Sequence, residues 1–90
     1  MVLDNEVKSA IEKNMDLMVD QTKAYIPFIR VAFPGTKDLP ELCFNLMVGN
    51  AMTTFITQLS FRMKSPTEQD FAEFGTIVET YRKKVREMFQ

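Results

Sequence analysis

A basic cluster near the C-terminus is the clearest group of side chains that could bind a ligand. The segment YRKKVRE, residues 81–87, contains the cations Arg82, Lys83, Lys84 and Arg86. On a helix, Arg82 and Arg86 share one face, and Lys83 is turned away by about 100°. Such a cluster can bind nucleic-acid phosphates, and a dimer would double it. It also suits a helix C-terminus, where cations complement the dipole. We favour the second interpretation and keep nucleic-acid or anion binding as the alternative.

Catalytic and metal-binding chemistry find little support in the residue types. The chain has no histidine and a single cysteine, Cys43, which lies in an apolar run. A nucleophilic cysteine needs an activating base, and the usual zinc sites need several Cys or His ligands. Glu12, Asp16 and Asp20 form an acidic row, but no second segment that would complete a divalent-cation site is identifiable. We therefore predict no catalytic residue, no metal and no cofactor, with Cys43 buried and the acidic row solvated.

The composition is typical of one small folded domain, which we predict over 1–90. The hydrophobic content of 46% argues against disorder, and the net charge of −1 is unlike that of a protein that coats nucleic acid. No apolar run is long enough to span a membrane, and the acidic Asp4 and Glu6 do not suit a secretory signal. A lone cysteine fits a reducing compartment, so we expect a cytoplasmic protein without membrane association.

Helical spacing of apolar residues predicts an all-α fold with three main helices. No alternating pattern between turn signals indicates a strand. Pro27 lies inside the first helical pattern and predicts a kink or break there, because proline removes a hydrogen bond and clashes with the preceding turn. Pro34-Gly35 marks a loop. The three predicted helices cover about 4–33, 39–63 and 66–88.

Two capping boxes predict where the second and third helices begin. Asp38 precedes Glu41 by three residues, so each side chain can accept a hydrogen bond from a free backbone N–H group. Ser65 and Glu68 have the same spacing, and Pro66 between them suits the first helical position.

The apolar residues of the middle helix change sides at Gly49-Asn50. Either the helix breaks at these two residues, or it is continuous and is covered on both sides. We favour the continuous helix and a homodimer, because three helices of so small a chain cannot easily cover both sides. The predicted dimer interface consists of Phe44, Val48, Ala51, Met52, Phe55, Leu59 and Met63.

No motif in the sequence identifies an enzyme or a known family. The leading hypothesis is a protein–protein interaction module, acting as an adaptor, regulator or inhibitor in the form of a small helical homodimer. Its expected partners are a second copy and another protein. The alternative is a nucleic-acid-binding regulator that uses the basic cluster. A ligand pocket among the methionine and phenylalanine side chains is a weaker option.

Overall fold

This computed structural model describes residues 3–90, which contain five helical segments. Met1 and Val2, which the domain prediction includes, lie outside the described residues. The all-α prediction is confirmed, and no strand occurs in residues 3–90. The predicted count of three helices is not confirmed, because the first and third predicted helices are each divided in two. The segments are α1 (Asn5–Ala24), α2 (Ile26–Ala32), α3 (Leu39–Phe61), α4 (Glu68–Glu79) and α5 (Arg82–Met88).

The predicted break near Pro27 is found at Tyr25. The Tyr25 N–H donates to Thr22 O at 3.0 Å, a tightened last turn that ends α1. Pro27 then occupies the first turn of α2, where its missing N–H leaves no hydrogen bond unmade. If α1 had continued, the proline ring would have clashed with the carbonyl of Lys23.

α3 is continuous through Gly49-Asn50, as we favoured, and buried residues from both of its apparent sides belong to one core. Six of its seven buried residues recur every four positions, and each step of four advances the row by about 40° around the helix. The row therefore winds through about 200° from Leu39 to Leu59. This winding explains why the apolar residues appear to change sides. The row consists of Leu39, Cys43, Met47, Ala51, Phe55 and Leu59.

A second row of buried residues, also four positions apart, runs along α1 and completes the core together with residues of α4 and α5. α1 packs antiparallel to α3, and the Asn14 amide donates to Asn50 Oδ1 across the pair at 2.9 Å. α4 also contacts α1, and the Tyr81 hydroxyl donates to the Glu12 carbonyl at 3.3 Å. The Cα bundle measures 42 × 19 × 19 Å. The remaining core residues are Leu3, Val7, Ile11, Met15 and Val19 on the α1 side, Phe44 on α3, and Phe74, Ile77, Val78 and Val85 on α4 and α5.

The third predicted helix begins later than expected. Thr67, rather than Ser65, is the N-cap of α4. Its hydroxyl accepts from Asp70 N at 3.1 Å, and the Asp70 carboxylate accepts from Thr67 N at 2.9 Å. The sequence contains two overlapping capping boxes, and the one that closes starts two residues further along.

The same predicted helix is interrupted at Thr80 and Tyr81. The Thr80 hydroxyl donates to Ile77 O at 2.7 Å, while the Tyr81 N–H bonds to Val78 O, only three residues back. A threonine hydroxyl that bonds to the backbone competes with the regular helical pattern. α4 therefore ends at Glu79 and α5 starts afresh at Arg82.

No helix among the described residues is both long and apolar enough to cross a membrane.

The end of α3 places Met63 in a left-handed backbone conformation, with φ of 57°. Met63 N–H donates to Ser60 O and Lys64 N–H donates to Leu59 O, the pair of bonds of a Schellman cap. Glycine normally occupies this position, since a Cβ atom is disfavoured there. The Met63 side chain is 95% exposed, so burial within the chain does not compensate for this cost.

We predict that Met63→Gly raises the free energy of unfolding by about 0.5–1 kcal/mol, because it relieves the left-handed strain. Urea unfolding measures the change. Met63→Ala, which removes the exposed thioether but keeps Cβ, is the control and should gain little. An equal gain in both variants would show that the backbone conformation is not the cause.

Candidate functional site

Arg82 of the predicted basic cluster is engaged within the chain. Its guanidinium lies 2.6 Å from Glu41 Oε2 and 2.5 Å from Glu79 Oε2. It also lies 4.4 Å from the centroid of the Phe44 ring, which gives a cation–π contact. Arg82 therefore joins α5 to the first turns of α3. The Glu41 carboxylate was predicted to accept a hydrogen bond from a free backbone N–H group in the capping box, but it forms an ion pair with Arg82 instead.

Arg86 is held in the same way, one turn later. Its Nη2 lies 2.9 Å from Asp38 Oδ2, and Asp38 also accepts from the Glu41 backbone N–H as the N-cap of α3. The Arg86 hydrogen bond, followed by that N–H bond, lowers the pKa of Asp38. Hydrogen bonds to Glu79 and Glu41 raise the pKa of Arg82, and the bond to Asp38 raises that of Arg86.

The four cations consequently do not form one free patch. Arg82 and Arg86 face carboxylates, whereas Lys83 and Lys84 are exposed, and Lys84 lies away from the groove that the other three cations share. Lys84 Nζ lies 5.7 Å from the Tyr81 ring. A groove along α5 is lined by Arg82, Lys83 and Arg86, but also by Glu79 and Glu87. Opposite charges in the same groove weaken its potential for phosphate groups.

Most of the predicted dimer interface lies inside the chain. Phe44, Ala51, Phe55 and Leu59 are between 0% and 3% exposed. Val48 is half-buried, and only Met52 and Met63 of the predicted set are exposed. The four buried residues face the other helices of the same chain, Ala51, Phe55 and Leu59 as members of the winding row and Phe44 beside it. They are therefore not available to a second copy while the core is intact.

Phe55 illustrates how these residues are used. Its ring stacks on Phe74, with centroids 4.9 Å apart, and meets the edge of Phe71 at 5.2 Å. These contacts hold α4 against the C-terminal half of α3.

The other candidates for chemistry are Cys43 and the acidic row of α1. Cys43 is a buried free thiol, and burial raises its pKa, which disfavours the reactive thiolate. Tyr81 contacts the acidic row of α1. Burial, followed by the hydrogen bond and charge of Asp16, raises its pKa to about 12. No group of three or more Asp, Glu, Cys or His residues in the described chain could hold a metal ion.

The outer side of α2 is an apolar surface that sequence reasoning did not single out. None of the residues in α2, all of which the structure describes, is buried. At 100° per residue, the outer arc of this short helix carries apolar side chains alone. Phe28 is 68% exposed and Val31 is 77% exposed. We define the α2 surface as Tyr25, Pro27, Phe28, Val31 and Ala32, all of them exposed.

The one charged side chain of α2 contacts the C-terminal end of the chain. Arg30, its one charged residue, donates from Nη2 to Phe89 O at 3.3 Å and lies 5.7 Å from the Phe89 ring. Lys23 precedes the helix and Lys37 follows it. Neither lysine has a carboxylate within ion-pair distance in residues 3–90. The α2 surface is therefore apolar, with unpaired positive charge before and after it in the chain.

Comparison of the chain with protein-family models, curated proteins and solved structures finds no significant match.

We predict that Arg82→Gln lowers the urea midpoint of unfolding more than Lys83→Gln does, because Arg82 loses two ion pairs and the contact with Phe44 while Lys83 is exposed. The difference between the urea midpoints of the two variants should become smaller in about 1 M NaCl, which screens charges over about 3 Å. Equal midpoints at low salt would contradict a structural role for Arg82.

Proposed function

We propose that the protein is a non-enzymatic protein–protein interaction module that binds another protein through the α2 surface. The observation that carries this proposal is the exposure of Phe28 and Val31 on a helix that buries none of its residues in its own chain. Full burial of such a side chain is worth about 1.5–3 kcal/mol. Covering the exposed parts of these two would therefore contribute about 2–4 kcal/mol to binding.

Two lysines that lie before and after α2 in the chain indicate the partner's chemistry. Lys23 and Lys37 lie before and after α2 in the chain and have no carboxylate partner in the described residues. A complementary partner is an amphipathic helix whose apolar stripe covers Phe28 and Val31 and whose flanking residues are acidic. Apolar contact would supply most of the affinity, and the charges would favour the correct orientation.

Such a module would act as an adaptor, regulator or inhibitor. We place it in the cytoplasm, where the buried free thiol of Cys43 would stay reduced. Nucleic-acid binding is the less favoured function, because Arg82 and Arg86 are already paired with carboxylates.

Selection from a display library of random amphipathic 16-residue peptides tests the proposal. Peptides that bind the wild-type protein should carry an apolar stripe flanked by Asp or Glu. Phe28→Ser should weaken their binding at least tenfold, the equivalent of about 1.4 kcal/mol. Phe61→Ser is the matched control, because Phe61 is 75% exposed but lies at the end of α3.

Three outcomes would contradict the proposal. Selected peptides could lack acidic residues, or they could bind Phe28→Ser as well as the wild type. Alternatively, the wild type and not Phe28→Ser could bind vesicles that contain phosphatidylserine, which would assign the α2 surface to a lipid headgroup layer.

A further inference from the structure

The solvent side of α3 lacks charge over most of the helix. Residues 42–61 contain no Asp, Glu, Lys or Arg, a length of about 30 Å on a helix. A surface helix normally presents charged or strongly polar side chains to water. Here Leu46 is 57% exposed and Ile56 is 39% exposed. We define the uncharged face as Leu42, Asn45, Leu46, Gly49, Met52, Thr53, Ile56 and Ser60, of which Leu42 is half-buried and the others are exposed.

Neighbouring helices flank this face without covering it. The Asn14–Asn50 hydrogen bond places α1 along one side, and the Phe55–Phe74 stack places α4 along the other. Leu17 lies one turn beyond Asn14 on α1 and is 54% exposed. Phe71, which touches Phe55, is 41% exposed on the α4 side.

We infer that the uncharged face binds a second copy of this chain, with the two α3 helices antiparallel. A face without charges offers nothing for a charged partner surface to pair with, and it matches another face of the same kind. The antiparallel arrangement also opposes the two helix dipoles.

The order of large and small residues fits the antiparallel pairing. A two-fold axis between Met52 and Thr53 places Gly49 opposite Ile56 of the second copy. The same axis brings Leu46 close to Ser60 of that copy. Large side chains then meet small ones along the contact. A parallel pairing would instead set Gly49 against Gly49 and Ile56 against Ile56, which leaves a gap at one level and crowding at the other.

The available area is at the lower limit for such a dimer. A face about 30 Å long on a helix about 10 Å across offers roughly 400 Å² of accessible surface in each copy. Leu17 and Phe71 at its edges raise this to roughly 600 Å², so that two copies would bury about 1,200 Å². Specific interfaces begin near that size, and transient complexes lie at this lower end, so we expect a reversible dimer.

Light scattering and sedimentation from about 1 to 500 μM test the dimer, with two glycine variants as a matched pair. Gly49 and Gly75 are both exposed helical residues, and an added Cβ at either position meets nothing within 4 Å. Gly49→Glu should weaken dimerisation at least tenfold, because it buries a charge without a partner. Gly75→Glu, on α4, should leave it unchanged. Phe28→Ser should also leave it unchanged, which separates this dimer from partner binding by the α2 surface.

A second variant tests the orientation. Gly49→Glu combined with Ile56→Lys places opposite charges next to each other in an antiparallel dimer, so association should recover. In a parallel dimer the same double variant would oppose like charges and stay monomeric. A wild-type chain that is monomeric at 500 μM, a Gly49→Glu variant that dimerises normally, a Phe28→Ser variant that is monomeric, or a double variant that fails to recover would each overturn the inference.

Discussion

The winding apolar row of α3 is the constraint on which the rest of the structure depends. Because its members are four residues apart, the row turns through about 200° between Leu39 and Leu59. A single straight partner could not cover a row that winds in this way. The N-terminal half of α3 is held by α5 and the C-terminal half by α4, while α1 runs antiparallel along the helix. The side that remains open is the uncharged face.

Two local breaks determine what the α3-centred bundle presents to its surroundings. Pro27 ends the helical path of α1 and allows α2 to turn Phe28 outward. The interruption at Thr80 starts α5 in a position from which Arg82 reaches Glu41. One break exposes an apolar surface, and the other uses two cations to secure the start of α3. The basic cluster thus contributes to the fold, and the exposed apolar surfaces are the better candidates for binding.

Local signals in the sequence predicted much of the fold. The proline break and the Asp38 cap depend on neighbouring residues, and both were found. The Thr67 cap was missed because two boxes overlap. The roles of Phe55 and Arg82 depend on contacts between helices that are distant in sequence. A helical projection of α3 places the members of the winding row on opposite sides, although they belong to one core. It also cannot show that Arg82 lies over Phe44, because Arg82 belongs to another helix. The sequence IPFIRVA, residues 26–32, could have indicated the α2 surface, because Arg30 is its one charged residue.

Amide hydrogen exchange across Gly49, Asn50 and Ala51 tests the continuity of α3 most directly. If one uninterrupted helix carries the winding row, the amides of Asn50 and Ala51 should exchange at least about a thousandfold more slowly than in a free peptide, as slowly as that of Phe55. Exchange at free-peptide rates at Gly49–Ala51, with protection on either side, would mean that α3 is two helices. The buried residues of α3 would then belong to two separate helices and would not form a single winding row.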